Sequence, residues 1–418
     1  MSSTTSKPEQ SPKSELPDIL VTERPVWVNG PPHEVFSQLR AECPVHWTSK
    51  VTEFPNEPGY WSVTKADDVH TVSRDWKTYS SEVGGVVAVL DVFPLELMRA
   101  MFIGMDPPKH DRLKMLFQAG FTPKRIAAHE PAIREIVTNV LDRLDGRETC
   151  DLVTDLAQPA VARVIGSFMG IPPEDDETWA TLMNTVLGAG DPDLNPDDIP
   201  AVAEKVLPEI FARCNEMIAE RRARPTEDLT SVLVHAEIDG NKLEEHEIVM
   251  GFFLLVAAGN DSTKSTYCSG MRALIEHPDQ RQLLLEDPSL ISSAVEESLR
   301  MFPAFAHFRR TATCDTELAG QPIKKGEKVV MWYVSSNRDE SRYQDPHRFD
   351  VRRNPEHQAF GAGGRHFCLG AALARLELNV LFEETLKRYP AMELAGKPVF
   401  AESPFINQLK TLPVRLGS

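Results

Sequence analysis

Residues 360–370 read Phe-Gly-Ala-Gly-Gly-Arg-His-Phe-Cys-Leu-Gly, with Cys368 and Gly370 at the end of a glycine-rich turn. The next stretch, 369–386, places Leu373, Leu376, Val380 and Leu381 at helical spacing, so a long amphipathic helix is expected there. Cys368 then sits at a helix N-terminus, where unpaired N–H groups and the helix dipole favour a thiolate. Gly361, Gly363 and Gly364 let the backbone turn tightly and approach a flat ligand. A thiolate held this way beside Phe360 and Phe367 suits axial ligation of a haem iron, and His366 stands close enough to offer a donor to a propionate. The same residues also read as a glycine-rich surface loop with a buried thiol.

Three further groups of residues carry chemistry. A helix is predicted over 245–276; its first half is apolar all round, and Ala258-Gly259-Asn260-Asp261-Ser262-Thr263 then places small and polar groups near its middle. An acid beside an alcohol inside a buried helix suggests a proton relay, and the same side chains also fit a helix emerging into solvent. Pro107-Pro108 opens another helix, on which His110 and Lys114 share a face, a pair suited to an anion. Glu297 and Arg300, on a helix over about 290–301 stopped by Pro303, share a face at i,i+3. Alone, that pair is more simply a surface salt bridge contributing ~0–1 kcal/mol.

The elements that must position these groups are mainly helical. Helical periodicity dominates from about 107 to 300, interrupted by acidic, proline-containing stretches at 172–177, read as a helix start, and 190–200, read as a loop. Strand-like runs appear at 59–63, 328–333, 405–406 and 411–416. The chain has 418 residues, 45 basic and 62 acidic, for a net charge of −17. That balance argues against broad nucleic-acid or anionic-membrane binding. Residues 1–24 begin with a polar segment lacking an apolar core and are expected to form a disordered tail. No apolar run approaches the roughly 20 residues of a membrane span, so a cytoplasmic location is expected. Six scattered cysteines, without a C-x-x-C pair, argue against a zinc module.

Taken in this order, the segments resemble the cytochrome P-450 family over about residues 25–418. The resemblance implies a mainly α fold with a minor β portion, one large domain enclosing haem b, with Cys368 as the iron ligand. In the family's usual pattern the Phe stands one residue nearer the Cys than Phe360 does. Some bacterial members acting on sterol side chains or methyl-branched lipids carry the same extra residue. Asp261 and Ser262 match the oxygen-activating acid and alcohol, with Ser in place of the usual Thr. His110, Lys114 (where Arg is usual) and Arg310 match propionate contacts. Phe360, Gly361, His366 and Gly370 belong to the haem loop. Glu297, Arg300 and Arg348 match the structural Glu-Arg-Arg network.

The family's chemistry implies hydroxylation of a hydrophobic small molecule (lipid, sterol-like or terpenoid) with dioxygen and two electrons. These are expected from a ferredoxin and its NADH- or NADPH-dependent reductase, docking on Lys109, Arg112, Lys114, Lys124 and Arg125. Substrate walls transferred by position are 86–93 (with Val86 and Val87), Leu255, Ala258, 302–308 (with Ala304, Phe305 and Phe308), Phe405 and Ile406, with His307 as a polar member that is either a backing residue or a contact for a substrate oxygen. Two other readings use the same cysteine: a peroxide-using haem-thiolate enzyme and a non-catalytic haem sensor. The Asp261-Ser262 pair speaks against both, since neither needs a proton relay.

Overall fold

The long helix expected over 245–276 forms as Glu245–Glu276, in a computed structural model that describes residues 18–51, 57–86, 95–188, 191–194, 199–238 and 240–417. It starts at a capping box, in which Glu244 and Glu247 each bond the other's backbone N–H. Most of its side chains are buried, and it packs against Gln158–Met169, Asp176–Leu187, Ile199–Ala223, Ile291–Met301 and Ala371–Arg388. Close packing requires missing side chains. A Cβ on Gly270 would lie 2.6 Å from Phe382 Cζ, and one on Gly259 would lie 2.7 Å from Ile165 Cδ1. These glycines let the flanking helices approach the central helix, which becomes the axis of the largest apolar core.

The β portion lies to one side. Its main sheet has five strands in the order Val45–Thr48, Tyr60–Val63, Lys328–Trp332, His307–Ala312 and Tyr79–Ser80. All neighbours are antiparallel except Lys328–Trp332 on Tyr60–Val63, which is parallel. Strand Lys328–Trp332 is buried along its whole length, as its unbroken Val-Val-Met-Trp run requires. A second sheet joins Thr149–Asp151, Pro413–Arg415 and Glu393–Leu394, bringing the chain end back to the middle. The mainly α fold with a minor β portion, one large domain, is therefore as expected from the sequence.

Residues 18–24 depart from the expected tail. Val21 and Thr22 are buried, Trp27 Nε1 donates to Val21 O at 2.8 Å, and Asp18 accepts from the Ser49 N–H at 3.0 Å. Val21 fills a gap beside Trp27 and Phe36 that the polar composition upstream did not reveal. Residues 1–17 lie outside the described residues. No helix among the described residues is long and apolar enough to cross a membrane.

Candidate active site

Cys368 stands where the glycine turn meets the helix Ala371–Arg388. Gly361, Gly363 and Gly364 all have positive φ (92°, 83° and 81°), conformations that side chains disfavour. The Cys368 N–H donates to Phe360 O at 2.9 Å, closing the loop with the extra residue inside it. Arg375 lies over the Phe360 ring, 4.7 Å from its centroid. Burial pushes the Cys368 thiol up. Opposing it are the Gly370 and Ala371 N–H groups, which bond the sulfur, and the charges of Lys114 and Arg375. The helix start thus supplies the sulfur's N–H donors.

A largely apolar cavity opens above the sulfur. Of the candidate wall residues, Val86, Leu255, Ala258, Ala304, Phe305 and Phe308 line it, together with Phe102 and Ile165. Val87 lies outside the described residues. Three expected wall residues belong behind it instead. His307 is fully buried, bonded through Nδ1 to Pro404 O at 2.8 Å and packed on Trp332, and burial pulls its pKa down to about 3. Phe405 stacks behind Phe305 and Phe308 at 5.3 and 5.9 Å, and Ile406 bridges the Phe305 backbone. Side chains alternate along an extended segment, so Phe308 turns to the cavity and His307 away.

One rim of the cavity is polar. His110, Arg310, His366 and Lys114 all line it. His110 is held through Nδ1 by Asp111 at 3.0 Å, leaving its buried Nε2 without a partner. Arg310 is almost fully buried, with Nη1 bonded to Arg309 O. These two fit an anionic edge of a bound group. His366 lies 4.2 Å from the His110 ring, but its nitrogens engage Ser81 and the Met105 backbone, and burial pulls its pKa well down. Lys114 departs from its expected role. Its ammonium donates to Phe367 O at 2.8 Å and to Arg365 O, bracing the cysteine loop. A compact ammonium lacks the fork with which Arg could serve both loop and anion. Among the described residues no three His, Cys, Asp or Glu converge on a metal. A single sulfur under an apolar cavity with a cationic rim fits haem, in which the macrocycle rather than further side chains would hold the iron.

The central helix divides its polar residues between two faces. Ala258, Gly259, Ser262, Thr263 and Thr266 line the cavity. Asp261 points the other way and is fully buried in an ion pair with Lys264. Lys264 Nζ also donates to Asn184 Oδ1 at 2.8 Å, and Asn184 Nδ2 to Gln158 Oε1 at 3.1 Å. The acid and alcohol adjacent in sequence are therefore not side by side in the cavity, because adjacent helical residues diverge by about 100°. Ser262 Oγ donates to Ala258 O at 2.8 Å, within its own helix. Gly259 borders the cavity, yet its missing side chain makes room for Ile165.

Sequence reasoning missed Glu377. It lines the cavity from the cysteine helix, is 4% exposed, and accepts from the Thr263 hydroxyl; burial pushes its pKa up to about 8. The signal was present: 377 falls between Leu373 and Leu381 on the apolar stripe, where an acid is out of place.

Beneath the site, Glu297 and Arg300 form a bidentate pair at 2.7 Å with neither side chain exposed. The third side chain is Arg353, whose Nε donates to Glu297 Oε1 at 3.1 Å. Arg348, expected there, is exposed and offers only its carbonyl, to Arg300 and Arg353. The turn at 345–350 carries Arg348 outward and brings the Asp350 N–H to Glu297 at 3.1 Å. The expected basic patch is also partly neutralised: Lys109 meets Glu82, Arg112 pairs with Glu247, and Arg125 bonds Glu227 O. Lys124 is exposed.

A family model described as cytochrome P450 matches residues 195–404. A methyl-branched lipid omega-hydroxylase of Mycobacterium tuberculosis (strain ATCC 25618 / H37Rv) is 39% identical over 389 residues, 91% of this chain and 90% of that protein. A steroid C26-monooxygenase of Rhodococcus jostii (strain RHA1) is 34% identical over 400 residues, 94% of this chain and 83% of that protein. The solved Mycobacterium marinum cytochrome P450 in complex with pseudoionone superposes with a TM-score of 0.89 at 37% identity, covering 96% of this chain and 100% of that one.

Proposed function

The chain belongs to the cytochrome P450 family and is a haem-thiolate monooxygenase, and from that premise we propose that it hydroxylates the hydrophobic end of a branched lipid, sterol-like or terpenoid molecule. The observation that carries this reading is the cavity above Cys368, apolar except for its cationic rim, Glu377 and the hydroxyls of the central helix. Phe102, Phe305 and Phe308 give that cavity flat aromatic walls, with its basic residues confined to one rim. The relatives' names point the same way: one acts on methyl-branched lipids at the omega position, another on steroids.

When bound, haem b supplies the chemistry that inserts one atom of dioxygen into a C–H bond, at a cost of two electrons and two protons per turnover. This chain's residues do the rest. Cys368 would ligate the iron, its sulfur bonded by the Gly370 and Ala371 N–H groups. His110, with its unpartnered Nε2, and Arg310 would hold the anionic edge of the haem. Phe360 packs against Phe367 and under Arg375 beside the cysteine, with Gly361 and Gly370 shaping the loop. Ser262 and Thr263 present hydroxyls to the cavity, and the Glu297–Arg300–Arg353 network fixes the segment preceding the cysteine loop. The electrons come from a ferredoxin in the cytoplasm, served by an NADH- or NADPH-dependent reductase. It docks on the face bearing Lys109, Lys124 and Arg125, and its reduction rate should fall with added salt.

The test is a panel of branched fatty acids, sterols and terpenoids, scored first for spin-state change and then for product with ferredoxin, reductase and NADH or NADPH. Binding and hydroxylation within this panel support the reading. Turnover only with polar or charged compounds would sink it. Product with peroxide alone, and none with ferredoxin, would favour the peroxide-using alternative.

A further inference from the structure

We propose that Arg338 holds a small monovalent anion, chloride, in a basic cluster between the helix His33–Glu42 and the turn at 335–347. None of the cluster's residues lines the cavity above Cys368, so the site stands apart from the function proposed above. Arg338 is 3% exposed. Its Nη1 donates to Met301 O at 2.6 Å, and its buried Nε–H has no partner among the described residues. A guanidinium out of water is costly unless an opposite charge and a full set of acceptors meet it.

The carboxylates nearby are all taken. Glu340 is gripped by Arg40, and Glu297 by Arg300 and Arg353. Asp339 turns away, accepting from the Ala66 and Ser341 N–H groups. Glu276 stands 4.0 Å from Arg272. Arg40 bonds Ser335 and Glu340, on both sides of Arg338 in the chain, and Arg300 Nη1 bonds Asn337 O at 2.9 Å. Cations are thus fastened around Arg338 without a carboxylate of its own. Burial, with the charges of Arg300, Arg40 and Arg272, brings the Arg338 guanidinium down to about 9, with Glu297 opposing.

A second donor stands beside it. His33 Nδ1 is buried and likewise has no partner among the described residues. Burial, then the charges of Arg338 and His347, hold the His33 ring well below the usual histidine range. A neutral imidazole can still carry its proton on Nδ1 and donate it. His33 also opens a ten-residue helix whose N-cap, Pro32, offers no side-chain acceptor, so the positive end of the helix dipole adds to the field. Glu34, on the same turn, is exposed. The cluster reaches solvent at His347, which is exposed and whose ring centroid lies 6.2 Å from that of His33.

These donors suit one spherical ion. The forks of Arg40 and Arg300 are closed on Glu340 and Glu297, and Arg338 Nη1 is engaged, which leaves single N–H groups. Phosphate and sulfate call for paired, converging donors, whereas a halide accepts from any direction. A chloride here neutralises Arg338 and steadies the turn whose Asn337 and Pro346 carbonyls hold Arg300.

Bromide, which has the charge of chloride and an anomalous X-ray signal, is the probe. Crystals of the holoprotein soaked in sodium bromide should show an anomalous peak at hydrogen-bonding distance from Arg338 Nε, and Arg338→Gln should lack it. In solution, replacing sodium gluconate by sodium bromide or chloride should raise the melting temperature of the holoprotein saturably, by about 1–3 °C. Ionic strength is held constant, because the chain carries a net charge of −17 and any salt screens it. The rise should vanish in Arg338→Gln, shrink in His33→Phe and persist in Arg348→Ala, which removes an exposed arginine of the same turn. Bromide peaks at surface positions alone, an adventitious ion only, would overturn the proposal. So would equal melting temperatures in gluconate and bromide, or a rise that survives Arg338→Gln. Should Arg338→Gln fail to fold, the wild-type map and the His33→Phe melting series decide.

Discussion

Arg353 Nε lies 3.1 Å from Glu297 Oε1, on the carboxylate that Arg300 already grips with two bonds of 2.7 Å. Glu297 is fully buried, and both guanidinium groups bond its carboxylate. Arg353→Ala should therefore destabilise the protein by about 1–3 kcal/mol and lower haem occupancy. Arg348→Ala, which leaves the carbonyl in place, should change stability by less than about 0.5 kcal/mol. Urea midpoints with haem content per chain separate the two.

The Asp261–Lys264 pair predicts a different pattern. Lys264→Met leaves a fully buried carboxylate without a counter-ion and should cost about 3–5 kcal/mol. The double variant Lys264→Met with Asp261→Asn removes the orphaned charge and should recover more than half of the loss. Additive losses in a thermal or denaturant cycle would show that the pair does not interact.

Two buried groups give opposing pH dependences. His307 has a folded pKa of about 3, below its usual 6.5, so its neutral form is favoured by folding. Its contribution is present above about 6.5 and is lost as pH falls towards 3, with a slope of at most about 1.4 kcal/mol per pH unit. Glu377 works in reverse: its pKa rises from 4.5 to about 8, so its contribution is present at low pH and lost as pH rises between those values. The two slopes offset one another between about 4.5 and 6.5. Stability-versus-pH curves should show His307→Gln losing the acid-side fall and Glu377→Gln losing the fall towards about 8.

Gly259→Ala should cost about 1–3 kcal/mol, since the new Cβ falls 2.7 Å from Ile165 Cδ1. Ile165→Val deletes that methyl and should restore part of the melting temperature. Equal losses with and without Ile165→Val would place the strain elsewhere.

The helices and strands that carry the site were legible because each has a one-dimensional signature. The apolar run ahead of Gly259 defines the central helix, and the Val-Val-Met-Trp run defines the buried strand. The cysteine loop was legible for the same reason: its glycines and cysteine are contiguous. What was not legible depends on direction. Asp261 and Ser262 are neighbours in sequence and diverge on the helix. Of the candidate wall residues His307 and Phe308, only the alternation of the strand decides that Phe308 faces the cavity and His307 backs it. Arg348 and Arg353 are both arginines in the right order, and only the turn at 345–350 decides which reaches Glu297. Glu377 was readable as an acid in an apolar stripe, but its partner Thr263 lies on another helix, 114 positions earlier by subtraction of 263 from 377.

The most direct measurement is the absorption spectrum of the ferrous–carbon monoxide complex of the purified holoprotein, for wild type and Cys368→His. The account predicts the strongly red-shifted Soret band of thiolate ligation in wild type. In Cys368→His that band should give way to a band at the shorter wavelength of nitrogen ligation. A wild-type band already at the shorter wavelength, or a red-shifted band that survives Cys368→His, would contradict the assignment of Cys368 as the iron ligand.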